Sequence, residues 1–202
     1  MAATRQLRDL LAADQEPPER GDAVRNRALL LAAARRLIAE RGPDAVTMDD
    51  IASAAGVGKG TVFRRFGSRA GLMLVILDED ERHFQHALMF GPPPLGPGAP
   101  PLQRLLSYGR ARLTFVDNHL AVLCDAARDP TTRYMAPAMV QRTHVRLLLA
   151  DANTTGDLDT QADALLALLD AAYVAHETHD RGRPLGALAD AWESVARKLC
   201  GR

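Results

Sequence analysis

Apolar residues along this chain recur at three- and four-residue intervals, and no alternating apolar and polar run is long enough to make a strand. The pattern predicts an all-α protein. From about Val24 to Arg41, Leu30, Leu31, Ala34, Leu37 and Ile38 share one helical face and arginines the other, and Gly42-Pro43 stops the helix. Thr47 with Asp50 three residues later resembles a capping box, with Asp in place of Glu, and starts a short helix to about Ala55. Gly56-Val57-Gly58 is a turn, and Lys59 to Phe66 follows as a helix roughly 12 Å long at the usual rise per residue. Ser68 caps a longer helix through Leu72 and Ile76 toward His86.

The segment from Gly91 to Pro101 is dense in helix breakers and marks a change of module. Beyond it Leu102, Leu105, Leu106, Gly109, Leu113 and Val116 describe one face. Further helices are predicted around His119 to Ala127, Ala138 to Asp151, Thr160 to Asp180 and Pro184 to Cys200. The chain therefore divides into a mobile extension at residues 1–22, a three-helix domain at 23–67, a connecting helix at 68–90, a Pro/Gly-rich connector at 91–101 and a second helical domain at 102–202.

Composition narrows the class without naming a function. Hydrophobic residues make up 47% and charged residues 25%, as in ordinary globular proteins, so disordered and fibrous classes drop out. The net charge of zero conceals a segregation: between Val24 and Met73 nine Lys and Arg stand against four Asp and Glu. The remainder carries the compensating acidity, beginning with the run Asp78 to Glu81. One polyanion-facing module on an acidic body fits this distribution. Cys124 and Cys200 lack a CxxC or Cys/His context, the first twenty residues have no apolar signal core, and the longest uncharged stretch contains six prolines. A reducing cytoplasm and no membrane span are the expectations.

Residues 47–66 meet the physical needs of a helix-turn-helix, in which a second helix enters the major groove while the first lies across the backbone. Ile51, Val57 and Val62 can pack together, Ala52 and Ala55 allow close approach, and Lys59, Thr61, Arg64 and Arg65 are left on the outer face. The stretch Gly56-Val-Gly-Lys-Gly-Thr-Val-Phe-Arg-Arg-Phe-Gly-Ser-Arg69 resembles the turn, recognition helix and following helix start of the TetR family of transcriptional regulators. The likeness covers about residues 24 to 80. Gly58 stands where the family usually has a capping Ser, and Ala70 and Gly71 replace a customary acidic first turn.

The resemblance implies a DNA-binding domain at 23–67 and a ligand-binding and dimerisation domain at 102–202. It implies Thr47, Phe63 and Arg69 near phosphates and Lys59, Gly60, Thr61, Arg64 and Arg65 toward the groove. Phe63 lacks the hydroxyl of the tyrosine common there, so packing is its expected role. Arg64 and Arg65 suit guanine, because a guanidinium can bond O6 and N7 together.

In the second domain, Tyr108, Arg112, Phe115, His119, Met135, Met139, His144 and Tyr173 combine apolar bulk with a few polar groups and are candidates for lining a ligand pocket. Leu165, Leu169, Ala172, Leu188, Trp192 and Val195 form stripes on the last two predicted helices and are candidates for a homodimer interface, with Trp192 alternatively core of its own chain. The implied function is a repressor that binds double-stranded, palindromic operator DNA as a dimer and is released by a small-molecule inducer. An activator or dual regulator with the same DNA contacts is an alternative, as is a helical ligand-binding protein or enzyme without DNA function. No catalytic grouping, cofactor or metal site is predicted. Gly60 spoils the P-loop pattern after Lys59, and the pairs His83/His86 and His176/His179 lack enough further ligands.

Overall fold

The computed structural model describes residues 21–42, 45–126 and 136–201. The described residues form ten α-helices and no strand. These are α1 (Gly21–Arg41), α2 (Met48–Ala55), α3 (Lys59–Phe66), α4 (Arg69–Phe90), α5 (Pro101–Asn118), α6 (Leu120–Ala126), α7 (Ala136–Asp151), α8 (Leu158–Ala167), α9 (Ala171–Ala175) and α10 (Leu185–Leu199). A π-helical turn at His176–Asp180 continues α9. The proposed extension at residues 1–22 lies, but for its last two residues, outside the described residues, as does Met135.

Two compact units divide within α4, between Asp80 and Glu81. The first is built on Leu30, Leu31, Ala34 and Leu37 of α1, Ile51 and Ala52 of α2, Val62 and Phe66 of α3, and Leu72 and Ile76 of α4. Its rim is tied by Arg35, which donates to Glu79 at 3.2 Å and to Asp80 at 2.5 Å. The second unit surrounds a larger apolar core from the later turns of α4 through α10. Pro101 opens α5 at its first helical position, where a missing N–H costs nothing.

A single helix from Thr160 to Asp180 is not what forms. The helix ends at Ala167 and a new one begins at Ala171, because Asp170 turns its carboxylate onto the amides of Ala172 and Tyr173 at 2.9 and 3.4 Å. A side chain that satisfies free amides at a helix start stabilises the break as a cap.

The close approach of α5 and α10 has one cause in sequence. A Cβ on Gly109 would lie 2.3 Å from two ring carbons of Trp192, so only glycine lets the indole lie flat on the helix backbone. Trp192 is buried and its indole N–H donates to the Leu165 carbonyl at 2.9 Å.

Candidate nucleic-acid interface and ligand site

The positions of the α3 side chains follow from how α2 and α3 begin and end. Thr47 Oγ1 accepts the Asp50 amide at 3.1 Å and Asp50 Oδ2 accepts the Thr47 amide at 3.0 Å, a closed capping box. These bonds hold the Asp50 carboxyl below the usual carboxylate range, the Thr47 hydroxyl being the largest cause. Gly56 ends α2 in the left-handed region at φ 68°, and the Val57 amide reaches back to the Ala52 carbonyl at 3.0 Å. This six-to-one closure turns the chain sharply enough to start α3 two residues later. Gly58 caps α3 without a side-chain bond, and Gly67 ends it at φ 71°.

With Val62 and Phe66 buried, the remainder of α3 is turned outward. Lys59, Gly60, Phe63 and Arg64 are exposed, while Thr61 and Arg65 are half-buried. Lys59 pairs with Asp49 at 2.6 Å, both side chains being in solvent, and its ammonium stands 5.8 Å from the Phe63 ring centroid. Phe63 is itself 40% exposed, so it is not a packing residue of this unit. An exposed ring at that place is suited to apolar contact, such as with a thymine methyl. The Thr47 hydroxyl also donates to Asp50 at 2.6 Å, which commits it to the cap, and Arg69 donates from Nε to the Val46 carbonyl at 3.2 Å. Both groups are fixed at the edge of the unit by these bonds.

The second unit gathers several of the candidate pocket residues and scatters the others. Arg104, Tyr108 and Arg112 are spaced four apart on α5, so they form one stripe. Across from them α4 supplies Glu81, Phe84 and Gln85, and α7 supplies Gln141 and His144. Arg112 Nη1 donates to Glu81 Oε2 at 2.6 Å, with both side chains less than a tenth exposed. Glu81 Oε1 accepts the amides of Gln141 at 3.0 Å and Gln85 at 3.2 Å. The Tyr108 hydroxyl donates to Gln141 Oε1 at 3.4 Å, and burial pushes that phenol's pKa up. Rings complete the walls: Phe84 lies 5.5 Å from Phe115 and 6.0 Å from Tyr108, Tyr108 lies 5.4 Å from His144, and Phe115 stacks on His119 at 4.5 Å. The guanidinium carbon of Arg112 is 4.5 Å from the Phe115 centroid and 5.7 Å from that of Phe84.

Tyr108, Arg112, Phe115, His119 and His144 thus converge, whereas Met139 is exposed and Tyr173 belongs to a groove with Leu168, Arg183, Leu188, Trp192 and Val195. Glu81 was hidden from sequence reasoning inside an acidic run, and Phe84, Gln85, Arg104 and Gln141 carried no motif. The available signal was spacing alone, polar residues placed on an otherwise apolar helical face. Of the candidate dimer residues, Leu165, Leu169, Leu188 and Trp192 are covered by their own chain, and Ala172 and Val195 are exposed. Glu177, on the π-helical turn, is buried between Arg183 at 2.5 Å and Arg181 at 2.8 Å, which hold its carboxyl below the ordinary range. Among the described residues no group of three or more His, Cys, Asp or Glu could hold a metal ion, and no helix is long and apolar enough to cross a membrane.

A capped helix pair joined by a glycine turn, with a cationic second helix facing outward, defines a helix-turn-helix module, here followed by an all-helical body. Residues 30–76 match the family model described as bacterial regulatory proteins, tetR family. Among solved structures, a TetR-like transcriptional regulator from Rhodococcus sp. RHA1 is similar at 26% identity and a TM-score of 0.55, over 93% of this chain and 100% of that one. A TetR-family transcriptional regulator from Streptomyces coelicolor is similar at 22% identity and a TM-score of 0.61, over 87% and 96%. A protein of Saccharomonospora viridis, assigned as a transcriptional regulator and solved in complex with choline, is similar at 21% identity and a TM-score of 0.64, over 83% and 93%. No curated protein matches the chain in sequence. Residues 30–76 are thus those of a tetR-family regulatory protein, and the chain as a whole has the fold of TetR-family transcriptional regulators.

Proposed function

We propose that this chain is a ligand-responsive repressor that binds a near-palindromic operator as a homodimer and leaves it when a small-molecule inducer occupies the helical body. The observation that carries the reading is the outer face of α3, where Lys59, Gly60, Phe63 and Arg64 are presented to solvent beside Thr61 and Arg65. Two such helices in successive major grooves lie about 34 Å apart. Arg64 and Arg65 read bases with Lys59 beside them toward the groove, Arg69 meets a phosphate, and Thr47 acts by holding the start of α2. Dimerisation uses the exposed edge of the last helices, including Ala172 and Val195, against a second copy. The polar stripe around Arg112 is the inducer site, and the choline complex of the Saccharomonospora viridis protein of similar fold supports a small-molecule ligand. Coupling of about 1 to 3 kcal/mol between the sites changes operator affinity roughly 5- to 150-fold.

A gel-shift assay against DNA upstream of the protein's own coding region tests this. Specific retention at modest salt is expected, and Arg65→Ala should cost about 1 to 3 kcal/mol and relax preference at one operator position. Absence of specific retention with any nearby intergenic fragment would overturn the DNA-binding reading. Reduced transcription of the neighbouring genes on deletion would replace repression with activation.

A further inference from the structure

The polar stripe of the second unit is unequally satisfied, and the inequality has a sign. Both oxygens of Glu81 are occupied, one by Arg112 and the other by two amides. The donors opposite are not used up. Arg112 spends one hydrogen bond, Nη1 to Glu81, out of the five N–H groups a guanidinium carries. Nε of Arg104 is a buried donor with no hydrogen-bond partner, and Nε2 of His144, a residue only 4% exposed, is also unpartnered, as donor or acceptor according to the ring's tautomer. Arg104 and Arg112 are two cations on the stripe; Glu81 pairs with Arg112, and the charge of Asp151 acts on Arg104. His144 adds no charge, because burial and the nearby Arg104 charge lower its pKa to about 3. Buried polar atoms without partners are rare in folded proteins and call for an explanation.

We infer that the stripe between α4, α5 and α7 is a binding site for an organic carboxylate, whose acid group takes N–H groups of Arg112 that Glu81 leaves unused and whose apolar part lies along the edges of Phe84 and Phe115. This deepens the ligand-responsive reading and rests on it. A carboxylate offers two acceptor oxygens in the geometry that a guanidinium fork matches. A quaternary ammonium such as choline would need an acidic group and open aromatic faces. Here Arg112 already takes Glu81 and stands over the faces of both rings. Glu81 is therefore the internal competitor of the ligand: it holds Arg112 when the site is empty, and the incoming acid shares or takes over that cation.

The test is isothermal titration of the full-length protein with sodium salts of straight-chain and phenyl-substituted alkanoates, each beside its amide and its trimethylammonium analogue. At least one acid should bind saturably and at least about tenfold more tightly than its amide or ammonium counterpart, a difference of one decade in Kd. Glu81→Gln should tighten binding of that acid several-fold, because the competitor is neutral. The double variant Glu81→Gln with Arg112→Met leaves no unpaired buried charge and should bind it at least about tenfold more weakly. Circular dichroism checks that both variants are folded. Should Glu81→Gln fail to fold, weaker binding by the double variant alone carries the test; should both fail, Arg112→Lys replaces them, which keeps the charge, loses the fork and should also weaken the acid.

No saturable binding by any acid, equal or better binding of the ammonium series, or undiminished binding by the variants lacking the guanidinium would overturn the assignment. Operator retention of ligand-free protein is measured on the same preparation. Retention without acid binding sinks this inference alone, and acid binding without retention at any nearby DNA sinks the regulator reading alone.

Discussion

Replacing Gly109 by alanine sets helix propensity directly against packing. In an exposed helix interior the change would stabilise by about 1 kcal/mol. Here the new methyl would stand 2.3 Å from Cε3 and Cζ3 of Trp192 and 2.8 Å from Cδ2. Carbon atoms in contact sit at about 3.5 to 4.0 Å, so the indole or the helix must retreat by more than about 1 Å. Overpacking of this kind costs about 1 to 3 kcal/mol. The ring cannot retreat freely, because its N–H is bonded to the Leu165 carbonyl. Breaking that bond in a buried site adds about 1 to 3 kcal/mol. After subtracting the propensity gain, the net loss is about 1 to 5 kcal/mol, or roughly 2 to 20 °C in Tm for a chain of this size. Trp192 is the one tryptophan of the sequence, so fluorescence during urea unfolding reports on the site itself. The double variant Gly109→Ala with Trp192→Leu, followed by circular dichroism, should lose much less than the sum of the two single changes. An alanine variant as stable as the parent, or additive losses, would refute the account of α5 against α10.

Three further outcomes are expected. Thr47→Ala opens the capping box and should destabilise the first unit by about 1 kcal/mol in chemical denaturation; an unchanged midpoint would mean that the cap does not hold α2. Asp49→Asn releases Lys59, so binding to DNA should strengthen and the salt dependence steepen by up to about 0.9 in log–log slope. An unchanged slope would show that the Lys59 ammonium neutralises no DNA charge. His144 is neutral in the fold, with a pKa of about 3 against an ordinary 6.5, so its contribution is complete above about pH 6.5 and declines as the pH falls toward 3. Stability at pH 5 should be about 2 kcal/mol below that at pH 8 from this group, and His144→Phe should flatten that part of the profile. Parallel profiles for parent and variant between pH 5 and 8 would contradict a buried neutral imidazole.

The first unit was legible because its signals are local. Thr47 with Asp50, Gly56 and Gly67 each act on residues within five positions of themselves, and the bounds of α3 follow from them. In the second unit the deciding contacts are distant. Trp192 meets Leu165 and Gly109, and periodicity cannot distinguish a stripe buried by its own chain from one awaiting a second copy. Glu81 was counted with its acidic neighbours as surface charge, although Arg112, the residue that makes its burial possible, lies on another helix. The helix break before Ala171 was readable in principle from Asp170 as a cap. It was masked by apolar residues that keep helical spacing on both sides.

The recognition helix touches the core through Val62 and Phe66 alone and is bounded at each end by a glycine of positive φ or its immediate successor turn. Its outer positions can therefore be rewritten with little effect on the fold that carries them. A protein of this build is suited to retargeting by exchange of one short cassette, with Val62, Phe66, Gly56 and Gly67 retained as the sockets.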